Sequence, residues 1–96
     1  MKKSTNFNYA FLFYDVKEKR VQKVFKVCKK YLSHFQYSVF RGEITPSKLI
    51  LLRKDLKQII QEDEDFVCII KLKNENVFGE EIIGNPQKET GEDLLI

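Results

Sequence analysis

Asp15 closes the apolar run Tyr9-Ala10-Phe11-Leu12-Phe13-Tyr14, and only one further acid, Glu18, precedes Arg41. A carboxylate at the end of a hydrophobic strand stands at the rim of a sheet, partly desolvated yet within reach of water. Such an oxygen can bind a divalent cation such as Mg²⁺, which takes oxygen ligands and keeps several waters. One carboxylate is a thin site. In a two-fold dimer it occurs twice, and two acids flanking the axis could share an ion and a phosphate. The simpler account is that Asp15 ends the strand and opens the turn into the next helix by bonding its own backbone. The residues alone leave both accounts standing.

Around Asp15, Tyr14 is placed to line a site and Ser38 to hydrogen-bond near the sheet end. Arg20 and Arg41 carry the planar fork that suits phosphate oxygens, although for either alone an exposed surface role is the favoured account. His34 follows a helix end and is expected to cap it. A single histidine excludes a two-histidine acid–base mechanism, and Cys28 and Cys68 read as small buried hydrophobes rather than a disulfide or a zinc site. The glycines Gly42, Gly79, Gly84 and Gly91 are scattered and form no phosphate-cradling loop. Phe40-Arg41-Gly42-Glu43 begins like an RNA-recognition motif but has Glu43 where an aromatic is needed.

The elements that carry these residues follow from periodicity. Tyr9–Asp15, short, aromatic and apolar on both faces, predicts a central strand. Val21, Val24, Phe25, Cys28, Tyr31 and Leu32 form one helical stripe. Its opposite side holds Lys19, Arg20, Lys23, Lys26, Lys29 and Lys30. Residues 34–44 are extended, and two strands there require a very tight turn near Gln36-Tyr37. Thr45-Pro46 opens a second helix, as an N-cap residue followed by proline, with Leu49, Leu52, Leu56, Ile59 and Ile60 on one face. Glu62-Asp63-Glu64-Asp65 is a solvated acidic turn, and Phe66–Leu72 is another buried strand. Val77-Phe78 and Glu81–Gly84 suggest a shorter strand, and Leu94-Leu95-Ile96 an apolar tail.

The order β-α-β-β-α-β predicts an α+β sandwich of ferredoxin-like type. With 96 residues, the expectation is a single domain over 1–96, its core about 9–84 and a docking tail about 92–96. No apolar stretch reaches the ~18 residues of a membrane span, and the basic leader lacks a cleavage site; a cytoplasmic protein is expected. The net charge of +3 hides an asymmetry, with 14 Lys/Arg against four Asp/Glu in residues 1–60 and three against ten beyond. An anionic partner, above all nucleic acid, is the leading candidate.

Taken in order, several segments resemble the Cas-two family, the small CRISPR-associated protein of spacer acquisition. They are Tyr14-Asp15, the basic helix Arg20–Cys28, the run Gln36-Tyr37-Ser38-Val39-Phe40-Arg41-Gly42-Glu43-Ile44, the helix with Leu49 and Leu52, and Asp65–Ile70. The resemblance spans about residues 9–84. It implies a ferredoxin-like homodimer with a C-terminal extra strand, around Glu92–Ile96, that adds to the partner subunit. It implies Mg²⁺, or another divalent cation, held by Asp15 of each subunit, which would make Asp15 both metal ligand and catalytic residue of an endonuclease acting on RNA or DNA. It also implies a scaffold that binds double-stranded DNA and joins the CRISPR integrase Cas-one in acquiring spacers. Arg41 stands where many relatives carry an acid. Lys19, Arg20, Lys23, Lys26 and Arg41 are the expected nucleic-acid contacts. One acid per subunit and no obvious general base favour the scaffold as the primary role, with cleavage secondary.

Overall fold

The computed structural model describes residues 7–87, so the expected tail near 92–96 and the basic leader lie outside the described residues. Four strands, β1 (Tyr9–Asp15), β2 (Ser33–Gln36), β3 (Val39–Glu43) and β4 (Phe66–Leu72), are interleaved with helices α1 (Glu18–Tyr31) and α2 (Pro46–Lys57). The sheet runs β2-β3-β1-β4, with every neighbouring pair antiparallel. That strand order, with a helix in each of the two crossovers, makes it ferredoxin-like, as expected.

Alternation along β1 sorts its side chains. Ala10, Leu12 and Tyr14 turn toward the helices and join Val24, Phe25, Cys28, Leu32, Phe40, Ile44, Leu49, Leu52 and Leu56 in one buried core. Burying each large apolar side chain there contributes roughly 1.5–3 kcal/mol. The other parity forms a face with no helix across it. There Phe13, Phe66 and Ile70 remain 37%, 53% and 46% exposed, while Phe78 packs on Tyr9 and Phe11.

Local signals explain the helix ends. Thr45 accepts the Lys48 N–H at 3.2 Å and Pro46 takes the first helical position of α2. In α1, Glu18 lies in the first turn and Lys29 and Lys30 in the last, signs that match the helix dipole. β2 and β3 meet across the two-residue turn Tyr37-Ser38, with Tyr37 at φ 36°.

Several expectations are corrected. β4 is not buried on both faces: among the described residues it is an edge strand paired with β1 alone, and the helix layer covers one side of it. Cys68 is consequently half-buried instead of core, unlike Cys28. Among the described residues no strand forms over 77–84; Glu75–Val77 is a single 3-10 turn. The chain then crosses the sheet instead of following the β4 edge, because Glu80 pairs with Arg41 and the Gln87 carbonyl accepts the Tyr37 N–H at 2.8 Å. His34 does not cap α1. It lies in β2, with its ring against Phe25 and Phe40, and the Leu32 N–H closes the helix on the Cys28 carbonyl. The acidic turn is only partly solvated, since Asp65 is buried.

Candidate functional site

Asp15 is the last residue of β1, exposed, on the open face of the sheet. Phe66 is its partner across the β1–β4 ladder. No group of three or more His, Cys, Asp or Glu gathers among the described residues. Mg²⁺ chemistry asks for carboxylate oxygens and tolerates retained water, so the residues present fit it as half of a site that a second copy would complete.

Tyr14 stands one residue away but does not line that rim. Strand alternation sends it to the helix side, where its ring stacks on Phe40. Burial, with a smaller contribution from Cys28 nearby, pushes its hydroxyl well above the usual phenol range. Ser38 meets β1 through its backbone, its carbonyl accepting the Tyr14 N–H at 3.2 Å.

The five basic residues divide. Lys19, Lys23 and Lys26 are exposed on one side of α1, and successive spacings of four and three keep them on one stripe. Over its 14 residues the helix is about 21 Å long, enough to follow several phosphates. The two arginines are engaged within the chain. Arg41 lies over the Phe35 ring, 4.2 Å from its centroid, and pairs with Glu80. Arg20 folds onto the turn before β4. Its Nε donates to Asp65 Oδ2 at 2.6 Å, and its Nη2 donates to Asp65 Oδ1 at 3.1 Å and to Glu64 Oε1 at 2.6 Å.

Sequence reasoning missed Asp65. Its side chain is fully buried and also accepts the Lys17 N–H at 2.9 Å and the Gln61 N–H at 2.8 Å. The Arg20 hydrogen bonds, ahead of those from the Gln61 and Lys17 amides, hold its carboxyl well below the usual carboxylate range. Arg20 in the same way holds the Glu64 carboxyl low. A signal was available: Arg20 stands four residues before Val24, at the margin of the apolar stripe. An arginine aimed there needs a buried acid partner.

Comparison with known proteins follows the same lines. The family model described as CRISPR associated protein Cas2 matches residues 8–78. The chain is 40% identical over 83 residues to the CRISPR-associated endoribonuclease Cas2 of Thermotoga maritima, covering 86% of this chain and 95% of that protein. It is 34% identical over 87 residues to the CRISPR-associated endoribonuclease Cas2 2 of Archaeoglobus fulgidus, covering 91% and 95%. A crystal structure of cas2 superposes with a TM-score of 0.76 at 36% identity, over 85% of this chain and 92% of that one. Streptococcus pyogenes Cas2 at pH 6.5 gives 0.65 at 27%, over 79% and 99%.

Proposed function

Because this chain belongs to the CRISPR-associated Cas2 family, we propose that it is a homodimeric, double-stranded-DNA-binding scaffold for spacer acquisition. In this reading it works in the cytoplasm beside the integrase Cas-one, in defence against foreign DNA. The observation that carries the reading is the division of its two faces. One side of the sheet carries no helix. The segment through Phe78 and Glu80 crosses part of it, but Phe13, Phe66 and Ile70 stay exposed, an apolar area that suits a second copy packed sheet to sheet. The helix layer then points outward on each subunit, and α1 presents Lys19, Lys23 and Lys26. Lysines so placed neutralise duplex phosphates without reading sequence.

A second activity is supported by the exposed carboxylate of Asp15 and by relatives named as endoribonucleases. Two copies would bring two Asp15 residues to hold Mg²⁺, which when bound supplies activation of water or stabilisation of the departing oxygen in phosphodiester hydrolysis. RNA is the substrate those names suggest, and DNA the alternative. Each chain offers one acid and, among the described residues, no adjacent cluster of acid or base groups. The scaffold is therefore the primary role and cleavage the secondary one.

Spacer integration in vitro, with the integrase and duplex DNA, separates the two. Wild type is compared with Asp15→Asn, with folding and dimerisation followed by circular dichroism and gel filtration. Retained integration by the variant supports the scaffold. Loss of integration with an intact dimer moves the metal-dependent activity to first place.

A further inference from the structure

Asp65 is the one polar or charged residue that is buried among the described residues. Its carboxylate ties the start of α1, through the Lys17 amide and Arg20, to its own α2–β4 connection, where it also accepts the Gln61 amide four residues earlier. No buried side-chain polar atom among the described residues lacks a partner, so this network is complete.

Its location gives it more than a stapling role. Asp15 is held against Phe66 in the β1–β4 ladder, and Lys17, two residues on, is held by Asp65. The two anchors of the segment Asp15-Val16-Lys17 are thus consecutive residues, Asp65 and Phe66. That arrangement closes a small ring of chain around the strand end and leaves the Asp15 backbone little freedom to swing. Arg20 fixes the ring from the helix side, because its fork engages both carboxylate oxygens of Asp65, a geometry lysine does not reproduce.

We propose that Asp65, with Arg20, is a positioning residue for Asp15: the pair presets the carboxylate rim for a divalent cation. The inference rests on the reading of Asp15 as a metal ligand. An ion shared between two subunits needs its ligand oxygens held in place, and here the hold on Asp15 acts through the backbone, by way of the Lys17 amide on Asp65. A staple serving stability alone would need only the Arg20–Asp65 pair. The Lys17 amide is what ties that pair to the rim.

The test uses Mn²⁺ as the probe, its binding to the full-length protein read by electron paramagnetic resonance. Wild type is compared with Asp15→Asn, Asp65→Asn, Arg20→Lys and Glu64→Gln, at a temperature where circular dichroism shows each fully folded and gel filtration shows one oligomeric state. Expected are Mn²⁺ binding lost in Asp15→Asn, weakened roughly tenfold in Asp65→Asn and Arg20→Lys, and unchanged in Glu64→Gln, which removes only an exposed arm. Wild-type affinity in folded Asp65→Asn and Arg20→Lys would overturn the positioning role while leaving Asp15 a ligand. Wild-type affinity in Asp15→Asn would overturn the ligand reading, and the inference with it. If Asp65→Asn does not fold, Arg20→Lys decides, since it leaves both backbone amides on Asp65.

Discussion

Arg20, on the first turn of the basic helix, closes its guanidinium on Asp65 at the foot of β4, Nε to Oδ2 at 2.6 Å. A residue expected among the phosphate contacts instead grips a carboxylate of its own chain, 45 positions away.

That pair sets a pH dependence. Arg20 and two backbone amides lower the folded-state pKa of Asp65, so the unfolded chain takes up the proton more readily. The stabilisation is complete above the ordinary carboxylate range and is lost as pH falls below about 4 toward the depressed value. Urea midpoints measured from pH 6 to pH 2 should fall steeply for wild type. The slope should be flatter for Asp65→Asn, which has no charge there to lose.

Salt dependence separates the lysines from the arginines. Replacing Lys19, Lys23 and Lys26 together with alanine should weaken duplex binding and reduce the slope of log K against log salt. The reduction should be roughly 0.9 for each phosphate no longer neutralised. Arg41→Ala should leave that slope unchanged, because Arg41 is already paired with Glu80.

Dimerisation through the open sheet face predicts sensitivity at Phe13, 37% exposed in the single chain. Phe13→Asp should elute from gel filtration at half the wild-type mass with a wild-type circular dichroism spectrum. An unchanged dimer would place the subunit interface on another face.

Two adjacent leucines of α2 provide a calibration of the core. Leu52 is 0% exposed and Leu51 47%. Leu52→Ala should cost about 2–5 kcal/mol in chemical denaturation, and Leu51→Ala should stay within roughly 0.5 kcal/mol.

Much of the fold was legible because it rests on short-range rules. The period-3.6 stripe of Val21, Val24, Phe25 and Cys28 foretold α1, Thr45-Pro46 foretold the start of α2, and the apolar run ending at Asp15 foretold a central strand. The candidate site was half legible. Asp15 could be placed at a strand end from its neighbours, as could the exposed lysines from helical spacing. The engagement of Arg20 and Arg41 could not, because their partners Asp65 and Glu80 are distant in sequence.

The sequence by itself determined which segments form the main helices and strands, where they begin, and which side chains share a face, since hydrophobic periodicity and capping act within a few residues. Only the tertiary structure decided which of those faces is covered. β4 carries as apolar a sequence as β1, yet it stands at the edge with Phe66 and Ile70 exposed, because strand order comes from the packing of the whole chain. The same holds for charge. An acidic run reads as solvated until folding brings an arginine to it, and burial of Asp65 is tolerated because each of its carboxylate oxygens finds a donor.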